Sequence, residues 1–154
     1  MHVLLATDAQ WVVDEVVATL GSPSTTFEVI TNGRDVAPAV AERTPDIAIL
    51  DLQVGTMGGM AITMDLRLDH SSGAVPHVPI LMLLDRTADV HLARRSGADG
   101  WIIKPLDSLR LRRAVTAVAS GSCYAEGIPA PADSGADADA PSTDAPVETS
   151  DSLT

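Results

Sequence analysis

Cysteine is almost missing from this chain. Cys123 stands alone among 154 residues, so no disulfide can close within it, and the usage fits a reducing compartment. A basic surface is missing too. Formal charge is −11, and nothing clusters Lys and Arg on one face as a nucleic-acid surface requires. No stretch approaches the roughly 20 apolar residues of a membrane span. Val3–Ala6 is too short for a signal-peptide core and meets Asp8 at once. These absences point to a soluble, cytoplasmic protein that binds neither membrane nor nucleic acid directly. Lysine is the scarcest charge. Lys104 is the one lysine beside nine arginines, so its position carries information.

Acid is unevenly spread. Glu126, Asp133, Asp137, Asp139, Asp144, Glu148 and Asp151 lie in residues 125–154, which hold no Lys or Arg. From residue 122 onward the chain is rich in Ala, Pro, Asp, Ser and Thr without periodicity. Such composition cannot bury enough apolar area to offset its ordering entropy. Residues 122–154 therefore read as a disordered acidic tail, and residues 1–121 as one domain. No internal repeat is visible.

Within residues 1–121, short apolar runs alternate with helical stripes. The strands read as Val3–Thr7, Phe27–Thr31, Asp46–Leu50, Ile80–Leu84 and Gly100–Ile103. Between them, Gln10–Leu20 carries Val12, Val13, Val16, Val17 and Leu20 at helical spacing. Asp35 can cap a second helix that Pro45 ends. Met60, Met64 and Leu66–Leu68 fill a third, Thr87 can cap a fourth that Gly97 closes, and Asp107 a fifth carrying Leu111, Ala114, Val115 and Val118. Fully apolar strands alternating with helices predict a parallel sheet covered on both faces. The expected fold is α/β, flavodoxin-like and doubly wound, with five strands in the order 2-1-3-4-5.

In such a sheet, ligands bind at the carboxyl ends of the strands. Asp8 follows strand one, Asp51 ends strand three and Lys104 follows strand five. Neighbouring strands lie about 4.8 Å apart, so these three side chains can meet in one pocket. An ammonium on a flexible stem can reach an anion where Arg would impose a planar fork. Taken alone, Asp51 could equally be a turn cap.

Val3–Asp8, Ile47–Asp51, Met57-Gly58-Gly59, Pro79–Leu84 and the stretch Gly97-Ala98-Asp99-Gly100-Trp101-Ile102-Ile103-Lys104-Pro105 together resemble the response-regulator receiver domain of two-component signalling. The resemblance covers residues 1–121 and implies a role for each position. Asp51 would accept a phosphoryl group from a histidine kinase or phosphotransfer protein. Asp8, Asp51 and the backbone carbonyl of Gln53 would hold Mg²⁺. Lys104 would hold a phosphoryl oxygen or the unmodified Asp51. Trp101 would sit where the family carries an aromatic that changes rotamer on phosphorylation. It implies no enzyme but a single-domain response regulator in a phosphorelay. Such a protein signals by contact with another protein, or homodimerises, through the face of helix four, strand five and helix five.

The chain departs from the pattern in two places. Thr7 replaces the first of two acids usual after strand one. One unit charge at about 6 Å and an effective dielectric near 20 amounts to roughly 3 kcal/mol, so Mg²⁺ should bind more weakly. Leu84 replaces the Ser or Thr whose hydroxyl would bond the phosphoryl group, and Leu has no donor. Thr87 could substitute from the next loop. These departures leave an alternative: a pseudo-receiver acting as an interaction module without phosphorylation. A third possibility, an enzyme or nucleotide binder on the same fold, lacks the Gly-rich cradle, since Asp8-Ala9-Gln10-Trp11 follows strand one.

Other residues have structural readings. His2, His70, His77 and His91 show no ligand spacing and suit the surface. Met60, Met64 and Met82 suit the core. Trp11 should pack beside the first helix near the pocket mouth. Arg94, Arg95, Arg110, Arg112 and Arg113, with Asp89 and Asp99 nearby, could pair across a twofold or form a solvated face.

Overall fold

The structure, a computed structural model, describes residues 1–126. Six strands form one parallel sheet: β1 His2–Ala6, β2 Thr26–Ile30, β3 Ile47–Asp51, β4 Ile80–Leu84, β5 Gly100–Ile103 and β6 Tyr124–Ala125. Their order is β2-β1-β3-β4-β5-β6. Every residue of β1, β3 and β4 is buried. That is why these runs show no polar alternation: helices cover both faces.

Odd-numbered residues of the central strands face one way and even-numbered ones the other. Val3, Leu5, Ile47, Ile49, Leu81 and Leu83 pack under α1 (Gln10–Leu20) and α5 (Ser108–Ala119). Leu4, Ala48, Leu50 and Ile80 pack under α2 (Val36–Glu42) and α3 (Gly59–Ser71). Met82, Leu84 and Trp101 pack with Val90 and Ala93 of α4 (Val90–Ser96). The sheet order expected from the sequence is present, with one short strand added at its β5 edge.

That addition revises the tail boundary. Residues 122–126 continue the fold, with Gly100 opposite Tyr124 and Trp101 opposite Ala125. Two residues are too few to show a period, and their partners lie more than twenty positions upstream. A Cβ on Gly100 would stand 2.8 Å from the Tyr124 carbonyl oxygen and 2.7 Å from Val118 Cγ2, so glycine there admits both β6 and α5. The tail beyond residue 126 lies outside the described residues.

Some local expectations change. The Asp107 carboxylate caps α5, accepting from the amides of Leu109 and Arg110. Asp35 and Thr87 do not cap by side chain. Both α2 and α4 are instead entered through a 3-10 turn, Gly33–Asp35 and Thr87–Asp89, whose backbone bonds take up the donors. Met64 is 51% exposed and Leu68 68%, because Ile62 and Leu66 already define the inner face of α3. Of the three methionines assigned to the core, only Met82 is fully buried. His2 is buried, not superficial: it opens β1, and its Nδ1 lies 3.1 Å from Thr26 Oγ1.

Asp89 and Asp99, for which pairing across a twofold and a solvated face are the alternatives from sequence, are engaged within the chain. Asp89 bonds Arg86 at 2.9 Å, and Asp99 bonds Arg67 at 2.6 Å. Arg112 reaches back to the Thr19 carbonyl, joining α5 to α1. Arg67 ties several elements together. Its Nε donates to the Gly97 carbonyl, where φ of +88° closes α4, and its Nη1 to the Val78 carbonyl. Asp99 meanwhile accepts the Ile80 amide at 2.8 Å. Arg67→Ala should therefore lower stability by about 2 kcal/mol, a partly screened loss of three charge-assisted bonds. Arg67→Lys should recover little of it, since an ammonium lacks the fork. Urea midpoints at constant slope would show this, and an unchanged midpoint for Arg67→Ala would refute it.

Candidate functional site

Thr7, Asp51 and Lys104 continue the odd-face alternation of β1 and β3 and the matching face of β5. They emerge on the same side of the sheet, at its carboxyl edge. Asp51 is 1% exposed. Its Oδ1 accepts from Lys104 Nζ at 2.9 Å and from the Gln53 amide at 3.1 Å. Its Oδ2 accepts from the Thr7 hydroxyl at 2.9 Å. Thr7 Oγ1 in turn accepts the Ala9 amide at 3.1 Å, which fixes the direction of its own proton. A buried carboxylate costs several kcal/mol unless paired and hydrogen-bonded. Here one cation and two neutral donors answer it.

Asp8 lies just outside this knot. It is exposed, and a Cβ on Gly55 would approach its Oδ2 to 3.3 Å. Its carboxylate therefore stands against the loop that follows β3, with no room there for a larger residue without adjustment. Each oxygen of Asp51 has two lone-pair sites, and Oδ2 meets one protein donor. Asp8, Asp51 and the backbone carbonyl of Gln53 would offer hard oxygen donors only. That suits Mg²⁺, which takes one or two carboxylates and keeps several waters. Among the described residues no cluster of three or more His, Cys, Asp or Glu could hold a metal, so a zinc-type site has no ligands here.

Leu84 is fully buried but faces away from Asp51. It continues the even face with Met82 and packs against Val90, Ala93 and Trp101. Only its backbone reaches the site side, its carbonyl accepting the Lys104 amide at 2.8 Å. Thr87, the possible substitute hydroxyl, is exposed in the 3-10 turn before α4. Trp101 is buried at 7% exposure, and its indole N–H donates to the Glu126 carbonyl at 2.9 Å. The Lys104–Pro105 peptide bond is cis.

One neighbour of Lys104, Asp85, is not among the site residues expected from the sequence, and another, Trp11, stands at the pocket mouth as expected. Asp85 accepts from Nζ at 3.1 Å, so the single lysine bridges a buried carboxylate and a 40% exposed one. The signal was available: Asp85 ends an apolar run just as Asp51 does, and its odd number puts it on the same face. Trp11 sits at the pocket mouth, half exposed, with Nζ 5.6 Å from its ring centroid. That distance allows a cation–π contact. Thr7 also differs from expectation. The sequence shows a missing carboxylate, whereas the structure shows a donor in its place.

The sequence and fold have counterparts among known proteins. The family model for the response regulator receiver domain matches residues 3–116. The DNA-binding transcriptional regulator NtrC of Salmonella typhimurium is 32% identical over 101 residues, covering 64% of this chain and 20% of NtrC. The DNA-binding response regulator MtrA of Mycobacterium tuberculosis is 40% identical over 79 residues, covering 50% of this chain and 32% of MtrA. The chain thus spans a third or less of the length of these relatives. Among solved structures, the receiver domain of the sensor histidine kinase PA1611 from Pseudomonas aeruginosa holds a magnesium ion in its active site cleft. It shares this fold with a TM-score of 0.66 at 18% identity, over 78% of this chain and 98% of that one. With a parallel sheet in receiver order and a family match over most of its described length, this chain belongs to the response regulator receiver domains of two-component signalling.

Proposed function

We propose that the chain is a phosphoacceptor in a two-component relay. Asp51 takes a phosphoryl group from a histidine kinase or phosphotransfer protein, and the result is read by protein contact. One observation carries this: the only lysine of the sequence places its ammonium 2.9 Å from a carboxylate that is 1% exposed. A carboxylate oxygen of Asp51 attacks phosphorus in line with the donor nitrogen. The P–O bond forms as the P–N bond breaks, and the leaving imidazole takes up a proton. Lys104 neutralises charge on the phosphoryl oxygens and is held at the site by Asp85 and Trp11. The Gln53 amide and Thr7 hydroxyl orient the acceptor. Mg²⁺, held by Asp8, Asp51 and the Gln53 carbonyl, would supply further charge neutralisation at the transferred group.

The phosphorylation-independent alternative is supported by Thr7 and Leu84: Thr7 stands where a second acid is usual, and Leu84 offers no hydroxyl to bond a phosphoryl group. One experiment separates the two. The protein is incubated with a small acyl phosphate and Mg²⁺, then weighed by mass spectrometry. The phosphoacceptor reading expects the mass of one phosphoryl group, lost in Asp51→Asn and without Mg²⁺. No uptake by the wild-type chain, or uptake that survives Asp51→Asn, would sink it.

A further inference from the structure

At the β5 edge the chain binds a piece of itself in a way that specifies a ligand. A sheet edge offers unpaired N–H and C=O groups. Beyond Ala125 the added strand stops, yet the edge does not go bare. Glu126 Oε2 accepts the Ile103 amide at 3.0 Å, in the place of a strand carbonyl. Arg110 Nη2 donates to the Ile103 carbonyl at 2.8 Å. The same guanidinium clamps Glu126 through two bonds, Nε to Oε1 at 2.8 Å and Nη2 to Oε2 at 2.6 Å. The Tyr124 hydroxyl adds a third donor at 3.3 Å, and the Trp101 indole holds the Glu126 carbonyl at 2.9 Å. Burial opposes ionisation of Glu126, but the bonds from Arg110 and the Ile103 amide outweigh it and hold its pKa below the ordinary value. Beside this clamp lies a hollow of about 200 Å³ between Arg94 and Ala98 on one side and Cys123 and Tyr124 on the other.

We propose that the face formed by α4, β5 and α5 is a strand-accepting groove with a carboxylate socket. Its partner ligand is an extended segment bearing an aromatic residue two positions before an acid, and residues 124–126 occupy the groove as an internal stand-in. The socket is Arg110 with the Ile103 amide; the indole of Trp101 anchors the ligand backbone. Arg110 already answers the Ile103 carbonyl; a helical partner would leave the Ile103 amide and the edge beside it unanswered, whereas an extended segment ending in an acid answers them, as residues 124–126 do. Arg94, Arg95 and Arg113 on the flanking helices add attraction for an acidic segment. The internal segment is tethered directly after α5, so its effective concentration is on the order of millimolar. A partner therefore binds the closed face more weakly than the open one, by the fraction of time the segment is off.

The test uses the full chain, labelled with ¹⁵N. Glu126→Ala should accelerate exchange of the Ile103 amide about tenfold or more and move the Trp101 indole resonance, since charge-assisted bonds are lost. A capped peptide Ser-Ser-Tyr-Ala-Glu should then bind the Glu126→Ala chain about tenfold more tightly than the wild-type chain. The same peptide ending in Gln should bind it about tenfold more weakly. Unchanged exchange and indole signals in Glu126→Ala overturn the proposal. So does a peptide that leaves that variant's spectrum still at millimolar concentration. Arg110→Gln provides a second arm: it should open the Ile103 amide equally but bind neither peptide, and tight binding to it would also overturn the socket. None of these readouts passes through Asp51, so the outcome is independent of whether the chain is phosphorylated.

Discussion

Lys104→Ala is expected to lower stability at neutral pH by about 3 kcal/mol, with Asp51→Asn in the same chain restoring most of the loss. The lysine side chain is 11% exposed and its partner Asp51 2%. Removing one member of a buried pair leaves the other charge without compensation, at a cost of roughly 3–5 kcal/mol. The lower end applies because the Thr7 hydroxyl and Gln53 amide still bond Asp51. The lost cation also leaves Asp85 as an unanswered negative neighbour. Asp51→Asn alone should stay within about 1 kcal/mol of the parent. Its amide oxygen can still accept from Lys104 and Gln53, its NH₂ can donate to Thr7 Oγ1, and Lys104 keeps Asp85 at 3.1 Å. Chemical denaturation of the two single variants and the double would show the coupling. A Lys104→Ala chain as stable as the parent, or a double variant no better than that single, would mean the ammonium is not on Asp51.

The route from sequence to site ran through alternation. β4 and β5 begin and end where their apolar runs do, and α1 where its stripe does. The same period of two explains what the runs alone did not reveal. Residues 7, 51 and 104 share a side, while Leu84 belongs to the other. A position read as facing the pocket therefore turns out to pack under α4 against Trp101. Asp85 is marked as plainly as Asp51 by its odd number at a strand end, but its contact with Lys104 comes from the fold. Thr7 was legible as an absence but not as a donor, because a hydroxyl's partner is decided by geometry in three dimensions. β6 was hidden for a different reason. Two residues carry no period, and its bonds go to Trp101, Ile103 and Arg110, none of them near in sequence. Local pattern yields elements; contacts between distant segments need the fold.

Thr7→Asp should make the apo protein less stable and enlarge the stabilisation that Mg²⁺ gives it. Thr7 is fully buried, and its hydroxyl lies 2.9 Å from Asp51 Oδ2. A carboxylate there removes a donor and puts a like charge beside a buried one, so without a cation the fold loses stability. With Asp8 next to it and Asp51 opposite, the new charge also strengthens the attraction for a divalent ion. One charge at about 6 Å in an effective dielectric near 20 corresponds to roughly 3 kcal/mol per unit of ion charge, against which desolvation works, so a rise in affinity of about a hundredfold is expected. Binding to the folded state alone raises stability with the logarithm of ligand over Kd. The gap between melting temperatures with and without millimolar Mg²⁺ should therefore widen in Thr7→Asp relative to the parent, and shrink in Asp8→Ala. The two opposed signs make the result specific: a merely structural disturbance at residue 7 would lower both melting temperatures together. A gap that stays as wide as the parent's in both variants would place the divalent site elsewhere, away from Asp8 and Asp51.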